Sequence, residues 1–597
     1  MPPWAETGNT SEAGVDARID RLRRSTAHDP ANGSQRGRRL RKTIQTALLK
    51  PVMGVAPPLR QRTFRRIWSA SLFSNLGQQM QAVAAGWTML QLTHAADMVA
   101  AVQTASMLPI MLLAIPAGAI ADMYDRRRVA IWALSVALSG ALLLAVLAAA
   151  GLLTPWPLLI SCFIVGSGIA VYSPAWQASA SEVVGAEAMP AAVTLYSMSS
   201  NVARSVGPAI GGVIVASAGA MIAFGVNALL YLPLIGALYA WKRKHEPPRL
   251  PPERLDRAMI SGLRYVRHAP PIRRVLARAL VTAIGGSAIY ALMPMVARDL
   301  LHGGPGTYGL LLGAFGVGAV TAALASEAIR ERLSANAIVA ACSLTIGAAL
   351  GVAALSSATA VTATAFLCAG GAWMVSISIF NVGVQFSAPR WVAGRALATF
   401  QASVAGGLAG GSWLWGHVAA DHGLQTGLLG PAVLMLIAPA LGFWLRMPDE
   451  KTMTAQAPAP EQDPEVRLDI TGRSGPILIE VEYRVEPARA REFYHLILHV
   501  KRSRERNGAY DVSVARDLTE PSIWIERFSY PTWHDFLRAR DRPTLADRAL
   551  RDRLLAFHSG DTPPHFRRLL ERPFGSVRWR DNAPDPGAPD TVAPPLS

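Results

Sequence analysis

Between residues 67 and 446 one apolar segment of bilayer-spanning length follows another, and this pattern rules out a water-soluble globular fold for most of the chain. A bilayer core takes about 20 apolar residues per helix, and segmenting by that length gives twelve spans. They fall near 67–90, 98–121, 129–150, 157–177, 190–215, 220–241, 275–298, 307–328, 334–356, 360–382, 395–418 and 424–446. Inside hydrocarbon every backbone N–H and C=O must be paired within its own segment, so runs this long and this apolar read as helices. The expected fold class is an all-α polytopic membrane protein of twelve transmembrane helices in two six-helix bundles, followed by a small α+β domain.

Charge avoids this region and collects around it. Only 17% of the 597 residues are charged, whereas soluble domains run nearer a quarter. The net charge of +17 therefore belongs mainly to tails and short loops, where it favours an anionic lipid surface. The basic residues are dispersed between apolar runs and form no single basic face, which argues against a nucleic-acid partner. Cys162, Cys342 and Cys368 all lie within apolar spans and give neither a disulfide framework nor metal-ligand spacing. No metal and no cofactor is expected.

Loop charge sets the orientation. Lys and Arg crowd the entry to the first span (Arg60, Arg62, Arg65, Arg66), the loop after the second, the hydrophilic stretch 242–274, and the loops at Arg330, Arg332 and Arg390. The alternate loops at His94–Asp97, Gly151–Trp156, Ser217–Ala220 and Ser356–Ala360 carry none. By the positive-inside rule both termini are cytoplasmic, in a bacterial-type inner membrane. The expected domains are a disordered basic tail (1–60), a first six-helix bundle (61–241), a cytoplasmic linker with an amphipathic helix (242–274) and a second bundle (275–447). A flexible linker (448–474), a soluble domain (475–575) and a disordered tail (576–597) complete the chain. Residues 1–60 hold no apolar core and no h-region before a cleavage site, so they do not read as a secretory signal.

Two motifs stand out within the spans. At the end of the second span Gly118 precedes Asp122, Asp125 and Arg126-Arg127-Arg128. This is a costly set of charges beside hydrocarbon unless the groups pair at the surface. A generic positive-inside loop is the competing reading. The fifth span carries Asn201-Val-Ala-Arg204-Ser-Val-Gly207-Pro208-Ala-Ile-Gly211-Gly212. Pro208 removes a backbone donor and the glycines permit close helix contact. Gly309 and Gly313 of the eighth span offer a matching small-residue surface. Arg204 is the charge set most deeply in a span: it either faces a cavity and binds an anionic or polar substrate, or bonds carbonyls freed by Pro208. Asn75, Gln78, Gln79 and Gln81 of the first span either line the same cavity with Asn201 or bond across helices.

These residues resemble the major facilitator superfamily. Gly118 to Arg128 resembles its Gly-x-x-x-Asp-Arg/Lys-x-Gly-Arg-Arg/Lys loop, with Met123 and Asp125 departing from the pattern, and Gly207–Gly212 resembles the Gly-Pro-x-x-Gly-Gly motif of its exporters. Ser74-Asn75-Leu-Gly77, Pro174-Ala-Trp176-Gln177 and Asn201-Val-Ala-Arg204 are similar to the twelve-span subgroup of the enterobactin exporter. The resemblance implies an ion-coupled antiporter exporting siderophore- or drug-like molecules by alternating access. It also implies a gating latch in which Asp122 faces Val392–Arg395, Arg126 pairs with Asp122 or loop acids, and Asp125 pairs with Arg127 or Arg128. In the family the Gly-Pro motif packs the fifth span on the eighth. Proton coupling finds little support in the residues themselves, because no span carries an Asp or Glu at its centre and Asp122, Glu182 and Glu327 sit near inner ends.

Beyond the proline-rich stretch Ala455–Pro464 the composition becomes that of a soluble domain. Period-two runs at 476–485, 509–515 and 522–530, helical runs at 487–506 and 532–558, and a last strand at 566–570 give the β-α-β-β-α-β order of a ferredoxin-like fold. The domain resembles those of the antibiotic-biosynthesis-monooxygenase type, which dimerise through sheet edges. No catalytic constellation is present and no enzyme is assigned. The alternative is a membrane-tethered oxygenase, or a ligand-sensing module, whose spans deliver its substrate. The expected partners are a small-molecule substrate, membrane lipid and a second copy through the C-terminal domain.

Overall fold

The computed structural model describes residues 56–93, 95–184, 188–241, 255–389, 392–448, 466–468, 470–541, 545–560 and 562–571. The expected N-terminal and C-terminal tails lie outside them, apart from 56–60, as do 242–254 of the first linker and most of the second. The first half consists of α1 (Arg62–Leu92), α2 (Ala96–Met123), α3 (Arg126–Ala149), α4 (Pro155–Val184) and α5 (Met189–Ala240). Gly219 sits at φ 82° inside α5 and breaks it into two arms, a backbone geometry that glycine alone adopts without strain. An amphipathic helix, α6 (Leu255–His268), precedes the second half: α7 (Pro270–Met295, extended by a π-turn at Val296–Leu300), α8 (Pro305–Arg332), α9 (Ala335–Leu355), α10 (Thr359–Ser387), α11 (Ala393–His422) and α12 (Leu424–Ile437).

Local chemistry sets these boundaries. Asp125 caps α3 by accepting from the Arg128 N–H, and Ser334 caps α9 by accepting from the Ala337 N–H. Gly423, at φ 86°, separates α11 from α12. Nine of the described helices are long and apolar enough to cross a membrane. The two halves meet along two seams, α2 against α11 and α5 against α8. Below, the face on which α1 begins and α6 lies is called the linker face.

The C-terminal unit holds β1 (Ile477–Arg484), α13 (Ala490–Arg506), β2 (Tyr510–Arg516), β3 (Ile523–Tyr530), α14 (Trp533–Asp541), α15 (Leu545–Leu555) and β4 (His565–Leu570). Its antiparallel sheet has the order β2-β3-β1-β4, with Val481 opposite both Glu526 and Phe566. The single helical region expected at 532–558 is two helices in the structure. Alternate residues of β1 (Ile477, Ile479, Val481, Tyr483) enter a core with Phe493, Ile497, Phe528 and Leu554. The unit touches the membrane part through α6: Arg264 Nη1 donates to the Gly508 carbonyl at 3.3 Å, and the Arg506 guanidinium lies 5.6 Å from the Tyr265 ring centroid. Burial pushes the Tyr265 phenol up to about 12, so it meets Arg506 as a neutral ring.

Candidate functional site

A cavity of about 540 Å³ opens between the two halves in the part of the molecule nearer the linker face. Its size falls within the usual range of small-molecule sites. α1 contributes Asn75, Gln78 and Gln79 to its wall, α4 contributes Tyr172 and Gln177, and α5 contributes Tyr196, Ser200 and Arg204. From the other half come Asn381 of α10 and Arg395, Thr399 and Gln401 of α11. Met259 and Leu263 of α6 also line it, so the linker helix forms part of the wall.

Arg204 is the decisive group. Tyr196, Ser200 and Arg204 recur at intervals of four and so share one face of α5. Arg204 is exposed to the cavity, and it makes no hydrogen bond or ion pair with any described residue. Among the described wall residues there is a second guanidinium, Arg395, and no carboxylate. Amides and hydroxyls fill the remaining polar positions. A cation held in a low-dielectric cleft with no acid in the wall raises the local concentration of anions and gives an anionic group a fork of donors.

Two expected cavity residues lie elsewhere. Gln81 is buried, and its Oε1 accepts from Asn227 Nδ2 in the second arm of α5, which forms an amide pair between helices. Asn201 is a neighbour of the lining Ser200 but is rotated by about 100° on the helix, and it does not line the cavity. Asn75 and Gln78 do line it, and Asn75 Nδ2 donates to Ser199 Oγ at 3.3 Å. Gln79 lines it too, as expected from the run of first-span amides, and so do Tyr196 and Arg395. The i, i+8 relation of Tyr196 to Arg204, with Ser200 midway, was the available signal for the tyrosine.

The opposite face is shut. Arg298 Nη1 donates to the Leu90 carbonyl across the halves at 3.3 Å, and Arg298 also grips Asp299 through two hydrogen bonds. Thr104 Oγ1 donates to the Ala409 carbonyl at 3.0 Å. A Cβ added to Gly86 would lie 3.1 Å from Tyr308 Oη, and one on Gly416 would lie 2.5 Å from Ala100 Cβ.

The glycine motif of α5 serves two neighbours. Gly207 and Gly211 pack on α1, where an added Cβ would meet Gln79 Cβ at 2.6 Å and Met80 Cα at 2.8 Å. Gly212 packs on α8, 2.9 Å from Gly309 Cα by the same measure, and Gly309 in turn lies against the Pro208 carbonyl. The expectation that the whole motif faces the eighth span is thus corrected: residues 207 and 211 share one face and residue 212 lies about 100° round from them. A Cβ added to Gly313 would meet ordinary contacts at 3.5 Å, whereas one added to Gly316 would run into the Arg204 carbonyl.

The charged loop that carries the expected latch is described in part. The side chain of Asp122 lies outside the described residues. Gly118 lines the cavity and faces Ala398 of α11 at 4.0 Å, so no close approach requires a glycine there. Asp125 Oδ1 accepts from the backbone N–H of Arg128 at 3.1 Å. Arg126 Nε donates to the Ala121 carbonyl at 3.2 Å. Arg127 donates to the carbonyls of Leu238 and Tyr239 at 2.9 and 2.6 Å, at the C-terminal end of α5, where a cation is favoured.

A family model described as "Transmembrane secretion effector" matches residues 53–574. The staphyloferrin A transporter of Staphylococcus aureus is 26% identical over 260 residues, 43% of this chain and 65% of that protein, so the match spans just under two thirds of the relative. The multidrug efflux pump Tap of Mycolicibacterium fortuitum is 26% identical over 389 residues, 63% of this chain and 94% of the pump. A bacterial homologue of the human lysosomal transporter Spinster, solved inward-facing and unoccupied, aligns with TM-score 0.52 and 14% identity over 67% of this chain and 98% of its own. At that identity the likeness concerns the fold.

Proposed function

The chain belongs to the transmembrane secretion effector family of major facilitator transporters, and on that premise we propose that it exports small anionic or polar molecules by alternating access. The observation that carries this reading is Arg204, a guanidinium with no hydrogen-bond or ion-pair partner among the described residues, in the wall of the cavity between the halves. The export direction is supported by the siderophore transporter and the efflux pump among its relatives. Two passes in α5, one on each side of Gly219, together with α1 and α11 added to the nine apolar helices, give twelve spans. Within the superfamily we read the chain as kin to the enterobactin-exporter subgroup, on the motifs quoted above.

Orientation follows from loop charge. Arg126–Arg128, Arg330 and Arg332 lie on the linker face, which we assign to the cytoplasm of a bacterial inner membrane. The conformation is then inward-open, with its outer side sealed by Arg298, Tyr308 and the tight glycines. The Asp125–Arg128 loop acts as a gate: Arg127 ties the start of α3 to the end of α5, and the outward-open state brings α2 closer to α11 around Gly118. Ion coupling is proposed without a carboxylate in the described cavity wall. The C-terminal unit, with sheet order β2-β3-β1-β4 and its helices interleaved, is read as ferredoxin-like and non-catalytic.

The test is efflux from vesicles containing the full chain, with and without an imposed proton gradient. Arg204→Ala is expected to lower export of anionic substrates at least tenfold without loss of protein from the membrane. Wild-type export by that variant would overturn the reading, and export indifferent to the gradient would remove proton coupling.

A further inference from the structure

The helix α6 touches three parts of the molecule at once. It packs on α2 of the first half, on α11 of the second and on α13 of the C-terminal unit. On the membrane side Met259 and Leu263, one turn apart, line the cavity. Between them Gly262 lies directly on α11, where an added Cβ would come within 2.8 Å of Arg395 Cβ and Cδ. The helix therefore occupies space on the linker face that the two halves need in order to meet there.

Burial fixes only one end of α6. Tyr265, Val266 and the following Ala269 are buried in the same apolar core as Ile272 and Val275 of α7. Nearer the cavity, Ile260 and Leu263 remain 60% and 55% exposed, so removal of apolar surface from water does little to hold that turn in place. The C-terminal unit supplies a further hold. Arg264 Nη1 donates to the Gly508 carbonyl at 3.3 Å, in the turn that follows α13. The Arg506 guanidinium lies 5.6 Å from the Tyr265 ring centroid. Arg506 is itself fixed by Asp547 of α15, which also accepts from Ser503 Oγ at 2.5 Å. The fold of the unit thus aims the groups that grip α6.

We propose that α6 and the C-terminal unit form a strap: the docked unit keeps α6 between the halves and biases the transporter toward the state that is open on the linker face. The inference rests on the alternating-access reading above. A charge-assisted hydrogen bond and one cation–π contact make a weak dock, one that thermal motion releases and that shifts a two-state equilibrium by a modest factor.

The experiment is pulsed electron paramagnetic resonance on the full chain in nanodiscs. Nitroxides are placed on Tyr124→Cys, just beyond α2, and on Phe386→Cys, near the end of α10, both exposed positions in opposite halves. Cys368→Ser removes the exposed native thiol, while Cys162 and Cys342 are buried and stay. A dominant long distance, for the open linker face, and a minor short one are expected in the wild type. Arg264→Ala and Arg506→Gln should each raise the short-to-long ratio about fivefold. Arg267→Ala, exposed on the same helix and outside the dock, should leave it unchanged. Arg264→Ala does not alter the C-terminal unit, so it keeps the test valid if Arg506→Gln disturbs that fold. Two distances in the wild type with an unchanged ratio in both dock variants would overturn this inference alone, as would an equal rise in Arg267→Ala. A single distance common to every sample would overturn it together with the alternating-access reading.

Discussion

The membrane part and the C-terminal unit are held together in opposite ways. Between the helices close contacts are made by missing side chains: Gly212 against Gly309, Gly316 against the Arg204 carbonyl, Gly207 against Gln79. In the C-terminal unit they are made by large ones, with Phe493 between Tyr483, Trp524 and Phe557, and Phe536 between Tyr530 and Trp533. The solvent accounts for the contrast. Lipid tails are as apolar as leucine, so helices there gain mainly from close backbone packing, whereas in water burying aromatic surface is itself favourable. Charge follows the same division. The C-terminal unit fixes Arg504 and Arg506 on Glu526 and Asp547, while Arg204 in the cavity has no partner among the described residues. A paired guanidinium serves the fold, and an unpaired one in a cavity is available to a ligand.

The largest effect expected from breaking this contrast is on the paired side. Glu526→Ala leaves Arg504 and the Tyr483 hydroxyl without their shared acceptor, and should destabilise the C-terminal unit by about 3–5 kcal/mol. Hydrogen exchange of the full chain would register this as loss of protection in β1, β3 and α13 with none in α2 or α11. On the glycine side, Gly316→Ala sets a Cβ against backbone and should cost about 1–3 kcal/mol, seen as lower thermal stability in detergent. Gly118→Ala, with its nearest neighbour at 4.0 Å, should cost nothing in the same assay.

The smallest measurable effect concerns pH. Burial, with Arg538 adding to it, holds the His534 imidazole below its ordinary value. Its ring is pressed on Gly472, which leaves no room there for a Cβ. The unfolded chain then binds this proton more readily than the folded one, so stability contributed by neutral His534 is present above the unfolded pKa near 6.5 and is lost as pH falls toward the lower folded value. His534→Gln should flatten the slope of thermal stability between pH 7 and 5.

Much of the architecture was legible because hydropathy reports directly on hydrocarbon. The break at Gly219 falls in the uncharged loop Ser217–Ala220, and the strands of the C-terminal unit fall where period-two alternation placed them. The site was only partly legible. A string of small residues announces close packing but not which neighbour is approached, so Gly207 and Gly211 were assigned to the wrong helix. Gln81 and Gln78 are the same residue type three positions apart. Only the position of Asn227, 146 residues away in sequence, distinguishes the buried amide from the cavity one. Arg395 and α6 enter the cavity through tertiary packing that no local pattern carries.

The central claim is that Arg204 gives the transport cavity its charge preference. The most direct measurement is export of a matched pair of anionic and cationic substrates from proteoliposomes containing Arg204→Glu. A reversed preference, with the cation now exported faster than the anion, is the predicted result; an unchanged preference at the wild-type rate would contradict the claim.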